Sequence, residues 1–366
     1  MAEKTKVGVI GCGNISDAYF QTNARFNFFE IVACADLDLE RAKAKATKWN
    51  IAKACTVDEL LADKEISFVI NLTIPQAHGP VMLSCIESGK SVYTEKPFSV
   101  TREEAKKVIS LAKRKKLRVG SAPDTFLGGG HQTVRKLIDD GAIGDIIGAS
   151  AFMVCHGHES WHPSPAFYYQ RGGGPMFDMG PYYLTDLVQL LGPVKRVAGM
   201  TRISFPTRTI TSQPLSGTVI DVEVPTHISG SMEFANGAIG TMVMSFDVHS
   251  HRLPCLEIYG SKGTIYVPDP NGFGGPVKLQ LAGKEAEEIP LTHGYADNSR
   301  GIGMADMILA MQKGRDHRCN ERLAFHVLDL MQAFHDSSDT GKYTTVKSTC
   351  ERPAMLPVNL KEGELD

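Results

Sequence analysis

Short apolar runs alternate with longer amphipathic ones over the first third of the chain. Residues 6–10 (Lys-Val-Gly-Val-Ile), 30–35, 67–72, 91–94 and 118–122 are rich in Val, Ile and small residues and too short for stable helices, so they read as strands. Between them, residues 39–49, 57–62, 78–87 and 101–115 carry helical spacing, and Thr101 and Glu104 form a capping box at the start of the last. Strand and helix in turn imply a parallel sheet with right-handed crossovers.

The pattern then changes. A helix over 131–141, a strand over 146–155 and a helix running from the Gly172-Gly173-Gly174 stretch to Leu191 lead into β-type runs at 196–204, 226–234, 238–248, 255–259, 263–267 and 277–281. Turn signals such as Asn236-Gly237 separate these runs, and no crossover helices intervene, which predicts a large antiparallel sheet with helices on one face. Helical spacing returns at 303–313 and 321–340. The expectation is an α/β domain over 1–123 followed by an α+β domain over 124–366, built on a large, mostly antiparallel, open-faced sheet. The last helices are expected to pack near the first domain.

Length and composition agree with two domains. At 366 residues the chain is too long for one ordinary core, and 42% hydrophobic with 22% charged residues is the balance of a soluble globular protein. A net charge of -2 without a long basic run leaves no electrostatic footprint for nucleic acid. The eight cysteines are scattered with no C-x-x-C pair, as expected of reduced thiols in the cytoplasm. No apolar run reaches membrane-spanning length, and a strand beginning at residue 6 leaves no room for a signal peptide.

The chemistry gathers where the first strands end. Gly11-Cys12-Gly13-Asn14-Ile15-Ser16 is a G-x-G-x-x-small loop between a strand and a helix. In such a loop Gly11 permits the tight turn, Gly13 lets the backbone approach a pyrophosphate, and Ser16 allows close helix packing. Asp36 ends the second strand, where an acid accepts hydrogen bonds from the adenosine ribose and repels a 2′-phosphate, favouring NAD over NADP. The first domain is thus expected to be a Rossmann domain. Thr73 and Pro75 follow a third strand and could line the nicotinamide side; His78 could equally be a helix-start residue.

The run Ser91-Val92-Tyr93-Thr94-Glu95-Lys96-Pro97 puts an acid and a lysine at another strand's carboxyl end, where open parallel sheets hold their ligands. The proline stops the strand and makes the preceding bond a candidate cis peptide. Asp124 follows the next strand and is expected to face the same crevice.

Together Gly11-x-Gly13-Asn14-Ile15, Thr73-x-Pro75-x-x-His78 and Gly89-Lys90-x-Val92-x-x-Glu95-Lys96-Pro97 resemble the glucose-fructose oxidoreductase and inositol dehydrogenase family (Gfo/Idh/MocA). The resemblance spans nearly the whole chain. It implies that Lys96 touches the reacting hydroxyl, that NAD is the cofactor, and that residues 11, 13, 14, 15, 36, 73, 75, 78, 95 and 96 lie in its site.

In the second half, His158-Glu159-Ser160-Trp161-His162 is a literal H-E-x-x-H, which on a helix would place two imidazoles on one face for zinc. Gly157 before it and Pro163 and Pro165 after it deny that helix, so no metal site is expected. Two readings of His158, Trp161 and His162 remain: an aromatic, polar loop over the substrate crevice, or plain loop structure.

The stretch Gly172 to Tyr183 resembles the family's second signature, G-G-G-x-x-x-D-x-G-x-H, with Asp178 matching the acid. Tyr182 stands where the histidine would be, a departure resembling the glucose-fructose oxidoreductase and dihydrodiol dehydrogenase branches. Four residues apart, the two would share a helix face. The resemblance implies that Lys96, Asp178 and Tyr182 are the catalytic set, with residues 124, 158, 161 and 162 beside them at the substrate.

The reaction expected is oxidation of a secondary hydroxyl of a sugar, glycoside or polyol, C3 of a pyranoside among the candidates, by hydride transfer to nicotinamide. A lysine partly desolvated beside a cationic nicotinamide gives up its proton more readily and can act near neutrality. Two alternatives stay open: transient sugar oxidation by a held NAD that permits glycosidic elimination, and a non-catalytic sensor of NAD or sugar. The open sheet face, placed around residues 232–246, is expected to be covered by a second copy of the chain, giving a homo-oligomer.

Overall fold

The structure, a computed structural model, describes residues 4–366. By packing they divide into two units, and the division differs from a single cut after residue 123. The first unit holds residues up to Gly128, His293–Phe325 and Pro353–Asp366, and the second holds Gly129–Thr292 and His326–Arg352.

The first unit is a parallel sheet in the order β3-β2-β1-β4-β5-β6. Its strands are β1 (Thr5–Ile10), β2 (Phe29–Ala35), β3 (Lys53–Cys55), β4 (Phe68–Asn71), β5 (Ser91–Thr94) and β6 (Val119–Ser121). Every residue of β4 and β5 is buried, as strands covered by helices on both faces must be. The helices are α1 (Ser16–Thr22), α2 (Leu39–Trp49), α3 (Val57–Ala62), α4 (Pro75–Glu87) and α5 (Arg102–Lys115). The starts of α2, α3 and α5 are set by side chains. Asp38 accepts from the N–H groups of Glu40 and Arg41, and Thr56 and Glu59 close a full capping box. At α5, Thr101 accepts from Glu104 N–H at 3.1 Å.

Residues 293–325 belong to this unit for a local reason. The carboxylate of Asp124 accepts from the N–H groups of Gly301 and Gly303 at 2.8 and 3.0 Å, tying a later helix to the end of β6. Arg318 then pairs with Asp306 at 2.6 Å and with Asp366 at 2.7 Å, which fastens residues 353–366 as well.

The second unit opens with α6 (Gly129–Asp139), β7 (Ile146–Val154), α7 (Gly174–Asp178) and α8 (Gly180–Leu191). Its sheet runs β16-β15-β14-β13-β7-β12-β11-β8-β17, comprising β7 with β8 (Val194–Arg202), β11 (His227–Phe234), β12 (Ile239–Ser245), β13 (Leu256–Gly260), β14 (Gly263–Val267), β15 (Val277–Leu281), β16 (Glu287–Ile289) and β17 (Thr344–Thr345). Only β7 and β12 pair in parallel; every other ladder is antiparallel. A separate short ribbon joins β9 (Thr207–Thr209) to β10 (Val219–Asp221). The remaining helices are α9 (Ile302–Lys313) in the first unit and α10 (Glu321–Thr340), which begins in the first and continues into the second.

Alternation sorts the faces of the large sheet. Met232, Met242, Met244 and Phe246 are buried, whereas Ile147, Met200 and Ile239 are exposed by 62%, 76% and 63%. The face expected to be open around residues 232–246 is therefore turned about. Its Met and Phe side chains form the covered side, and the open side carries Ile147, Met200, Ile239 and Thr241. Among the described residues no helix is long and apolar enough to cross a membrane.

Candidate active site

In the first unit the proposed cofactor residues sit at the carboxyl ends of β1, β2, β4 and β5. Gly11 has φ of +100°, and a Cβ there would lie 2.6 Å from the carbonyl of Leu72, so no other residue fits this turn. Gly13 is different: a Cβ there would meet nothing within 4 Å, which leaves its backbone open to a ligand. Ser16 turns its hydroxyl back to Gly13 O at 2.6 Å. Asn14 and Ile15 are exposed beside it.

Asp36 is joined to this loop. One carboxylate oxygen accepts from Cys12 N–H at 2.8 Å, the other accepts from Asp38 N–H at 2.9 Å, and Arg41 stands 3.4 Å away. The acid thus fixes the glycine loop as well as standing where a ribose would lie. Leu37, wholly exposed, and Ile74, 64% exposed, frame the same edge of the sheet. Sequence reasoning passed over both. Their only signal is position: apolar residues one step past Asp36 and Thr73, where loops are ordinarily polar. Open glycine backbone, a carboxylate and bare apolar side chains are what a dinucleotide's phosphates, ribose and rings require.

Lys96 follows β5 and begins a clamped turn. The Lys96–Pro97 bond is cis. Glu95, buried, accepts from Tyr19 O–H at 2.9 Å with one oxygen and from Lys96 N–H at 2.9 Å with the other. His78 is fully buried in α4, its Nδ1 2.6 Å from Pro97 O and its Nε2 3.0 Å from Thr73 O; burial lowers its pKa. Asn71 adds its amide to His78 O at 3.2 Å and accepts from the Thr73 hydroxyl at 2.7 Å. So Thr73, His78, Glu95 and Lys96 are brought together, with His78 and Glu95 engaged inside the protein. Pro75 occupies the first turn of α4, as a residue lacking N–H can.

Asp124 does not join them in the manner expected. It is 2% exposed and its carboxylate serves the start of α9; burial pushes its pKa up to about 6.

In the second unit the helix expected from the glycine run to Leu191 is broken at Met179 into α7 and α8. Pro181 supplies the reason, since it has no N–H to donate to Phe177 O. Asp178 therefore ends one helix and Tyr182 lies in the first turn of the next, with Tyr182 N–H bonded to Met179 O at 3.1 Å.

The H-E-x-x-H run lies in turns, not in a helix. Glu159 is a structural anchor. It accepts from Arg208 at 2.8 Å and from the Tyr169 hydroxyl, while Arg208 also binds Asp247 and Phe246 O. His158 is 8% exposed, with Nε2 3.8 Å from Asp178 Oδ2. Its ring lies 3.9 Å from Tyr168, 4.5 Å from Phe246 and 5.4 Å from Trp161, centroid to centroid. Trp161 is 62% exposed, and His162 is half-buried against Phe167 and Tyr168. Asp178 and His158 are thus brought together.

A second buried pair, His131 Nδ1 to Asp186 Oδ2 at 2.9 Å, had no signal beyond an acid in an apolar helix. Asp186 also accepts from Gln189 at 2.9 Å, which marks the pair as a tie between α6 and α8.

A parallel sheet in this strand order, with an open glycine loop and an acid after its second strand, defines a dinucleotide-binding protein. The chain belongs to the Gfo/Idh/MocA oxidoreductase family. Residues 5–122 match its oxidoreductase family, NAD-binding Rossmann fold, and residues 131–266 match the GFO/IDH/MocA C-terminal domain. It is an NAD-binding oxidoreductase of that family. An uncharacterized oxidoreductase of Schizosaccharomyces pombe is 29% identical over 170 residues, which span 45% of each chain. Trans-1,2-dihydrobenzene-1,2-diol dehydrogenase of Xenopus tropicalis is 26% identical over 305 residues, 82% of this chain and 86% of that one. A levoglucosan dehydrogenase in complex with NADH and L-sorbose has the same fold, with a TM-score of 0.82 and 20% identity over 94% of this chain and all of that one.

Proposed function

We propose that this protein is a dehydrogenase that oxidises a secondary hydroxyl of a sugar, glycoside or polyol and passes the hydride to NAD. The observation that carries this reading is the clamped Glu95-Lys96-Pro97 turn. The Lys96 backbone N–H is bound by the buried Glu95 carboxylate and the next carbonyl by buried His78, which supports a lysine meeting a hydroxyl where a parallel sheet holds its ligands. Two relatives support the substrate class, since one is named for a cyclic diol and the other is a levoglucosan dehydrogenase.

When bound, NAD supplies the hydride acceptor. Lys96 takes the hydroxyl proton as the carbon is oxidised, Tyr182 shares or relays that proton, and Asp178 orients the substrate by accepting a hydrogen bond from a neighbouring hydroxyl. The Tyr168, Trp161 and Phe167 rings offer an apolar face to a sugar ring. Asp36 disfavours a 2′-phosphate, so NAD is preferred to NADP.

The test is a panel of sugars, glycosides, polyols and cyclic diols assayed with NAD and with NADP, after the purified protein has been checked for bound nucleotide. NADH formation from carbohydrate substrates is expected. Failure of every carbohydrate with either nucleotide would sink the reading, and a preference for NADP would sink the role of Asp36.

A further inference from the structure

The contact between His158 and Asp178 was not foreseen as a pair, and three features make it more than loop packing. His158 is more than nine-tenths buried, yet Nδ1 has no hydrogen-bond partner among the described residues. Nε2 faces the Asp178 carboxylate at 3.8 Å, a charge contact longer than a hydrogen bond. The ring is packed among Tyr168, Phe246 and Trp161, each tilted against it, and is largely shielded from water. A neutral imidazole left without partners in an aromatic box would be costly; a charged one beside a carboxylate is compensated.

We propose that His158 is a positioning residue, held as an imidazolium that fixes the Asp178 carboxylate in place, so that Asp178 can accept a hydrogen bond from the substrate beside the reacting hydroxyl. The proposal rests on the dehydrogenase reading for its purpose, not for the existence of the ion pair. The surroundings agree with it. Burial works against the charged ring, but Asp178, with a smaller contribution from Cys155, outweighs burial and raises the pKa to about 9. His162 in the same loop is pushed the other way, by burial and by the charge on His158. The remaining charged groups beneath the loop, Glu159, Arg208 and Asp247, are already paired among themselves. The backbone of Glu159 also pins the loop, because its carbonyl accepts from the N–H groups of Thr211 and Ser212 at 2.9 Å.

The test begins without substrate. With 13C-labelled histidine, the His158 ring signal is assigned by its loss in His158→Gln and titrated in the otherwise unaltered protein and in Asp178→Asn. The expected midpoint lies well above that of free histidine and falls by more than one pH unit in Asp178→Asn. A midpoint at or below the ordinary value of about 6.5, or one that Asp178→Asn leaves unmoved, overturns the proposal. If Asp178→Asn fails to fold, the titration of the unaltered protein decides alone.

Once a substrate is in hand, His158→Gln should lower kcat by about 10- to 100-fold, as misplacement of a working group does, with NAD affinity unchanged. An unchanged kcat would refute the positioning role. If the panel finds no oxidised carbohydrate, the dehydrogenase reading fails while the titration still reads the ion pair.

Discussion

At the scale of single residues, Lys96 and Tyr182 are expected to act on one proton. Lys96→Met should slow the chemical step by about 10²- to 10⁴-fold, the usual loss for a positioned acid–base group, while NAD affinity stays nearly constant. Tyr182→Phe falls in the same range if the phenol transfers the proton and by much less if it only holds the sugar. Single-turnover kinetics on the double variant decide whether they work together: a loss little greater than that of the worse single change is expected, and full additivity would separate them. Asp124 belongs to a different account. Its pKa of about 6 lies above the ordinary 3.8, so the native state holds the extra proton between those values. Stability from this group is therefore fully present below about 3.8 and is lost as pH rises through about 6. Asp124→Asn should flatten that slope in thermal melts while leaving the substrate KM alone. Asp124→Ala should cost about 1–3 kcal/mol, because it strands the N–H groups of Gly301 and Gly303. A raised KM with unchanged melting in Asp124→Asn would return this residue to the substrate site.

At the scale of elements, the loop between β1 and α1 separates folding from binding within three residues. Gly11→Ala collides with the backbone of Leu72 and should destabilise the protein measurably in urea melts. Gly13→Ala meets empty space, so its melting should stay within about 0.5 kcal/mol of the parent, as is usual for a surface change. Its NAD affinity, measured by calorimetry, should nevertheless fall; unchanged affinity would mean that Gly13 does not face the pyrophosphate. This loop was legible in the sequence because glycine spacing reports backbone geometry directly. So were β4, β5 and most strands of the large sheet, where period and turn residues agree. The break between α7 and α8 was missed although Pro181 is a local signal, since the Asp178–Tyr182 spacing invited one continuous helix. The Glu159–Arg208–Asp247 anchor and the His158–Asp178 pair could not be read, because no local spacing links their members and only the folded second unit brings them together. The same limit explains Asp124: its partners at Gly301 and Gly303 have no sequence pattern that points back to it.

At the scale of the whole molecule, we propose that the bare face of the large sheet is covered by a second copy of the chain. Ile147, Met200 and Ile239 are large apolar side chains left in water on one face, a pattern that marks an interaction surface. A self-complementary contact between identical faces gives a closed dimer. Ile239→Glu should move the sedimentation coefficient from dimer to monomer at micromolar concentration without disturbing the far-ultraviolet spectrum. A parent protein that sediments as a monomer would remove the proposal. The order in which the units are threaded has its own consequence for synthesis. The nucleotide-binding unit begins with strands translated before the second sheet, yet it takes in residues 293–325 and 353–366, and the Arg318–Asp366 pair bridges these late arrivals. A nascent chain can form the parallel sheet early, but it cannot finish that unit until translation has passed the entire second sheet. Chaperone occupancy during that interval should concentrate on the unfilled flank beside β6, where α9 will later be tied down.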